Sequence, residues 1–359
     1  MKKLKILYIN NYSCDESAYN QVKNKRYPSN HLWGVCELRE KGHHVEFIDM
    51  NHPQIKGKKN IIKKLIYKVQ KKIYFGKIFR KYKNYDVVYS SQTDLSQTYF
   101  FAKSKKKGLC NPIMIAVLHH PGAYIPYSES YDKMIFISKP VLDMRPDFRP
   151  IAEYAFWGPD LNFYNYWKNK NVSNRHIESP NELIFVSNGK TRRDNNAFLS
   201  AASELDANVI IVCDSTCTPE QKYFSNDKFE IITSSQIGDT ISNVDNISLL
   251  SKTDIMVIPI NIESDVLCGL TSFVDALAMG MPIIMSDNTL MGIDIESEGF
   301  GFIYKTGDYK DLKKKMMMFY DDPGLVKKMG EKALNFGKKH SFSNFVAKLE
   351  EVINSSQPN

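Results

Sequence analysis

Three short runs hold the residues best suited to chemistry. Ser187-Asn188-Gly189-Lys190-Thr191-Arg192-Arg193-Asp194 follows an apolar run and precedes a helical pattern. A turn in that place aims backbone N–H groups and a helix dipole at whatever sits beyond the strand, and Lys190 and Arg193 add full charges. The natural guest is an anion, most simply a diphosphate. The spacing is neither a P-loop nor GxGxxG. The run Cys268–Ile284 opens with Gly269, Leu270, Thr271 and Ser272 at a helix start, a second anion-receiving terminus. One turn in comes Asp275, amid Phe273, Val274, Ala276 and Leu277. That carboxylate reads either as a partner of the helix dipole or as an acceptor for a ribose diol. The third run, Leu118-His119-His120-Pro121-Gly122, ends an apolar strand. His43, His44, His52, His176 and His340 read as surface or loop histidines.

Short apolar runs alternating with helical patterns must position these residues. Strands are predicted at Ile6–Asn10, Val45–Asp49, Asp86–Ser90, Ile113–His119 and Lys133–Ile137. Helical stretches are predicted near 30–42, 60–83 and 94–107. A polar stretch running to Pro180 reads as a linker. The alternation then restarts at Leu183–Ser187, Val209–Cys213, Phe229–Thr233, Asp254–Pro259, Pro282–Ser286 and Gly301–Tyr304. Its helices fall near 192–205, 245–252, 270–280, 308–320 and 323–354. Small Ala276, Ala278 and Gly280 predict close helix–sheet packing. The expectation is an α/β protein with two tandem Rossmann-like domains facing across a cleft, their ligands at the carboxyl ends of strands. The expected boundaries are 1–155, a linker over 156–180, a second domain over 181–340, and a final helix over 341–359 crossing back to the first.

The 359 residues suit two such domains, and 43% hydrophobic with 25% charged residues is ordinary for a globular protein. Six cysteines without a CxxC pair make neither a disulfide scaffold nor a zinc site. The opening MKKLKILYIN has too short an apolar run for a signal peptide and reads as a first strand. The net charge is +8, yet residues 56–83 alone carry twelve Lys or Arg and no acid. The rest of the chain has 36 basic against 40 acidic residues. Within that segment Ile62, Leu65, Ile66, Val69, Ile73 and Tyr74 recur at helical spacing. The pattern fits a core-facing helix with a solvated face, or a surface that meets anionic lipid. No recognition motif for nucleic acid accompanies the charge, so nucleic acid is not an expected partner.

The run Gly269–Ile284 resembles the donor-site signature of GT-B glycosyltransferases, particularly the large retaining group called family 4. Gly189–Asp194 resembles that family's donor-phosphate segment, and Trp157-Gly158-Pro159-Asp160 its interdomain junction. Gly307-Asp308 and Asp321-Asp322-Pro323 before a long final helix fit as well. The family has two glutamates eight positions apart. Asp275 matches the second, Leu267 stands at the first, and Glu263 and Asp265 lie nearby as substitutes. The six cysteines without a disulfide pattern predict a cytoplasmic protein, and the basic amphipathic segment over 56–83 a peripheral seat on the inner face of the cell membrane. The resemblance implies an enzyme that moves a sugar, with retention, from a nucleotide-sugar to a glycan or lipid-linked acceptor in surface polysaccharide synthesis. The nucleotide-sugar is a substrate, and neither a cofactor nor an obligatory metal is expected. The implied donor residues are Gly189, Lys190, Arg192, Arg193, Gly269, Leu270, Thr271, Ser272 and Asp275. The implied catalytic residues are His119, His120 and Glu263, and the implied acceptor contacts are His31 and Asn11. Two alternatives stay open: a nucleotide-sugar 2-epimerase of the same fold, and a non-catalytic nucleotide-sugar binder acting as partner of another transferase.

Overall fold

The computed structural model describes residues 2–10, 14–48, 61–91, 102, 112–120, 128–170, 179–234, 241–261 and 266–356. The chain divides into two compact units. One comprises Met1–Asn24, Ser29–Phe156 and Asn344–Asn359, the other Lys25–Pro28 and Trp157–Ser343.

The first unit is built on β1 (Lys5–Ile9), β2 (His44–Phe47), β3 (Val87–Ser90), β4 (Ile113–Leu118), β5 (Lys133–Phe136) and β6 (Ala152–Tyr154). Their order is β2-β1-β3-β4-β5-β6, and every pairing is parallel. All of β3 and β4 is buried, as expected of parallel strands covered on both faces. The short β6 was not legible as a strand, because Glu153 interrupts any apolar run. Helices α1 (Glu16–Lys23), α2 (Val35–Glu40), α3 (Ile61–Lys81) and α4 (Lys139–Asp143) connect the strands. Asp15 caps α1 by accepting from the Ala18 N–H, and Ser138 caps α4 by accepting from the Val141 N–H.

One of the two readings of α3 and one histidine assignment are not met in this unit. Among the described residues the apolar stripe of α3 faces no core: Ile62 is 68% exposed, Leu65 64% and Ile73 57%. Periodicity shows that a stripe exists but not what covers it. His43 is no surface histidine; it is buried, and its Nδ1 accepts the Leu4 N–H at 3.2 Å. The helix expected near 94–107 lies, apart from Ala102, outside the described residues.

The second unit is built on β7 (Ile184–Asn188), β8 (Asn208–Cys213), β9 (Phe229–Thr233), β10 (Ile255–Ile258), β11 (Ile283–Ser286) and β12 (Gly301–Tyr304). The order is β12-β11-β10-β7-β8-β9, again parallel throughout. The chain reverses its direction of growth between β7 and β10, the switch point at which such sheets receive ligands. The helices are α5 (Leu161–Lys170), α6 (Asn195–Ser203), α7 (Asn243–Leu250), α8 (Leu270–Met279), α9 (Tyr309–Asp321) and α10 (Gly324–Lys339), followed by α11 (Phe342–Ser355). Phe185, Phe198, Val209, Ile211, Val257 and Leu312 belong to one buried cluster, so strands β7, β8 and β10 share a core with α6 and α9.

The stretch predicted as one helix over 323–354 is two. The break follows from close packing at His340: a Cβ on Gly158 would overlap the His340 carbonyl, and the Phe342 N–H donates to the Pro159 carbonyl at 3.0 Å. The small residues at the end of α8 also meet a helix: Gly280 lies against Gly330 and Leu334 of α10.

Candidate functional site

The site grows from the carboxyl end of β7. Beyond Asn188 the chain turns through Gly189, whose φ of +154° a side chain rarely adopts. A Cβ there would also overlap the Arg193 guanidinium. Arg192 has a φ of +52°, a strained value outside glycine. The turn is pinned across the switch point to the end of β10. The Asp194 N–H donates to the Pro259 carbonyl at 2.7 Å, the Asn261 N–H donates to the Arg192 carbonyl at 3.1 Å, and Arg193 bridges Ile260. Asp194 then caps α6 by accepting from the Ala197 N–H. A second loop supports it from below, where the Thr216 hydroxyl donates to the Lys190 carbonyl at 3.0 Å.

Arg193 is 8% exposed. Its Nη1 donates to the Thr191 carbonyl at 2.9 Å, and its Nη2 to the Ser272 hydroxyl at 2.9 Å and the Asn188 carbonyl at 3.4 Å. Its Nε has no partner. All these acceptors are neutral, so among the described residues no carboxylate bonds the guanidinium, and burial pulls it below its ordinary pKa. A buried cation without a counter-ion costs several kcal/mol, roughly, unless an anion arrives. Lys190 and Thr191 stand exposed beside it.

The α8 terminus meets the turn through Ser272, whose hydroxyl bonds the Asn188 carbonyl. Gly269 caps the helix at φ +79°, with Ile258 packed where a Cβ would stand. Leu270 is half-buried, Thr271 exposed and Ser272 buried, so the first turn lies at the rim of the site. Asp275 is 3% exposed. It accepts from the Tyr164 hydroxyl, from Asn188 Nδ2 at 2.8 Å and from Asn246 Nδ2 at 3.1 Å. Burial pushes its pKa up, and the three donors pull it part of the way back.

Sequence reasoning missed Tyr164, Asn188 and Asn246 as members of this group. Asn188 lay in the motif without a role, Tyr164 in the supposed linker, and Asn246 in a polar helix. Glu263, Asp265 and Asn11 lie outside the described residues. Leu267, at the position of the expected glutamate, is buried.

In the first unit, His119 and His120 follow β4. The His119 ring lies 4.6 Å from the Trp33 ring and 6.1 Å from that of His120. Burial, and then the neighbouring His120, push His119 down to about 4, so it is neutral at physiological pH. Trp33 also meets Phe345 of α11 edge-on at 5.8 Å. His31 sits on a one-turn helix, Ser29–Leu32, and its carbonyl accepts from the Cys14 thiol at 3.5 Å.

The family described as Glycosyl transferases group 1 matches residues 168–336. No curated protein matches the chain. Among solved structures, sucrose-phosphate synthase from Thermosynechococcus elongatus is similar with a TM-score of 0.68 at 12% identity, covering 98% of each chain. A glycosyltransferase from Rickettsia africae is similar with a TM-score of 0.66 at 14% identity, covering 99% of each. Anabaena HepE, solved with UDP, is similar with a TM-score of 0.64 at 10% identity, covering 98% of this chain and 100% of that one. At these identities the structures speak for the fold. The Gly189–Asp194 turn and the α8 terminus both fall inside the span that matches the group 1 glycosyltransferase family, in a chain of GT-B fold.

Proposed function

We propose that this protein is a glycosyltransferase that takes a sugar from a nucleotide-sugar and passes it, with retention of anomeric configuration, to a glycan or lipid-linked acceptor of a surface polysaccharide. The observation that carries the reading is Arg193, a buried cation bonded, among the described residues, only to neutral groups at a switch point. A donor diphosphate supplies the missing charge. Fixed cations and dipoles then stabilise the departing nucleoside diphosphate as negative charge develops on it, because they need no reorganisation at that moment. Arg193 and Ser272 serve from within the site, and Lys190, Arg192 and Thr271 from its rim. Gly189, Gly269 and Leu270 let the backbone approach, and Asp275 stands behind them. On the first unit, neutral His119 and its neighbour His120 are proposed to face the transferred sugar, and His31 and Asn11 the acceptor; Glu263 is proposed as the further acid. The UDP in the Anabaena structure supports a nucleotide as the donor's handle. The test is a thermal-shift panel of nucleoside diphosphates and their sugars, since a ligand of the native state raises its stability. Release of nucleoside diphosphate on adding acceptor then separates a transferase from a binder. No shift with any nucleotide would sink the reading.

The same proposal includes docking on the anionic inner face of the cell membrane. The exposed Ile61, Ile62, Leu65, Ile66, Val69 and Ile73 occupy an arc of about 140° on α3, at the 3.6 residues per turn of a helix. Lys64 and Lys68 are exposed on the same helix. Such a helix lies in the interfacial plane, held by apolar burial and by charge. No described helix is long and apolar enough to cross a membrane. Co-sedimentation with phosphatidylglycerol vesicles should exceed that with phosphatidylcholine vesicles and fall as salt rises. Equal binding to both, or to neither, refutes the docking.

A further inference from the structure

We propose that Tyr164 and Asn246 are positioning residues of the anion site, holding the Asp275 carboxylate so that it fixes Asn188 and leaves Arg193 open to a ligand. This rests on reading the Gly189–Asp194 turn as the seat of the donor diphosphate. Two opposite charges lie near one residue here and do not pair. The Arg193 guanidinium and the Asp275 carboxylate are both more than nine-tenths buried. Each bonds the same residue, Arg193 through the Asn188 carbonyl and Asp275 through the Asn188 amide. A buried carboxylate and a buried guanidinium this close would ordinarily join in a bidentate pair. Here Tyr164 engages one carboxylate oxygen, and Asn246 shares the other with Asn188. Asn246 also accepts from Asn188 Nδ2 at 3.1 Å, so the amide is held from both sides. With its lone pairs occupied by neutral donors, the carboxylate has no reason to swing to Arg193. The cation therefore stays uncompensated until an anion arrives, which is preorganisation built from uncharged residues.

The charged and titratable neighbours are few. Tyr164 is itself held protonated by burial and by Asp275, with Asp160 at the head of α5 adding to the effect. Lys168, further along α5, donates to the Met279 carbonyl at 3.0 Å at the far end of α8. Asp245 on α7 is taken up by the Ser242 hydroxyl at 2.6 Å. Among the described residues Arg193 makes no direct bond to Asp275 and is linked to it by hydrogen bonds through Asn188. Removing the Tyr164 hydroxyl leaves burial less opposed, so Asp275 takes up a proton at higher pH. A protonated Asp275 releases the Asn188 amide and loosens the turn.

The experiment is calorimetric titration of the full-length protein with UDP, GDP and inorganic pyrophosphate, from about pH 5 to pH 8. The proteins are wild type, Tyr164→Phe and Asn246→Ala, each checked for native circular dichroism and cooperative melting. Tyr164→Phe should weaken binding about tenfold, the value of a hydrogen bond to a charged group. It should also move the acid-side loss of affinity to higher pH. Asn246→Ala should cost about threefold, in keeping with an ordinary hydrogen bond. If wild type binds none of the three probes, the donor-site reading fails and takes this inference with it. If wild type binds and Tyr164→Phe matches it at every pH, this inference alone is overturned. A uniform drop with the acid limb unmoved marks a loss of packing and also overturns it.

Discussion

Each unit places a switch point at the carboxyl ends of its central strands, and the two crevices are lined in opposite ways. In the first unit, between β1 and β3, the Tyr8 hydroxyl donates to Ser91 Oγ at 2.9 Å, and Asn10 Nδ2 donates to the Tyr8 oxygen and to Cys14 Sγ, each at 3.0 Å. Burial holds Tyr8 protonated and pushes the Cys14 thiol up to about 11, so this cluster carries no charge at neutral pH. In the second unit, between β7 and β10, the corresponding place holds a buried guanidinium and a buried carboxylate. The sheet geometry offers a crevice in both; the lining decides the guest. A neutral polar lining exchanges hydrogen bonds with a polyol, whereas a cation without a counter-ion selects an anion. That division is the physical basis for proposing a donor site in one unit and an acceptor site in the other.

The comparison breaks most readily at Arg193. Arg193→Met should weaken nucleoside diphosphate binding by about a hundredfold, since charged hydrogen bonds are worth roughly 1.5–3 kcal/mol each. The melting temperature should stay level, because an unpaired buried charge leaves with the side chain. Calorimetry with unchanged affinity would remove the charge asymmetry between the two crevices.

A smaller effect tests the neutrality of the first unit. His119 has its folded-state pKa pushed below the unfolded value, so the unfolded chain binds its proton first as pH falls. Stability from this group is therefore fully present above about pH 6.5 and lost as pH falls toward about 4. By about pH 5 the loss is roughly 2 kcal/mol. His119→Gln should flatten the acid slope of a denaturant titration series; an unaltered slope would mean that His119 titrates freely. The smallest effect belongs to Tyr8→Phe, about 1 kcal/mol of stability from one lost hydrogen-bond group. Nucleotide affinity should not move, and a change in it would mean that the two crevices are not independent.

The sheets were legible because each strand is a short apolar run bounded by polar residues, as at Ile113–Leu118 and Ile283–Ser286. Boundaries shifted by a residue or so, and the split between α10 and α11 was hidden, since no glycine or proline marks it. The contact that ends α10 comes from Gly158, far away in the chain. Within the candidate site, charge was legible: Lys190 and Arg193 stand out after a strand. Tyr164, Asn188 and Asn246 were not, because uncharged polar residues acquire meaning only when folding brings them to one carboxylate. Nor could the sequence reveal that Arg193 bonds no carboxylate among the described residues, since Asp194 stands next to it and turns away to cap α6.

One feature of the chain's path bears on its birth. Phe345, Leu349, Val352 and Ile353 of α11 are buried and belong to the first unit, and Gly34 lies under Leu349. During synthesis the segment ending at Phe156 emerges long before these residues. At about 5–20 residues per second, roughly 10–40 s separate the two. For that interval the nascent first unit has an open apolar face, while the strands of the second unit emerge one after another. All six strands of the second unit are thus made before α11, and the unit translated earliest is completed last.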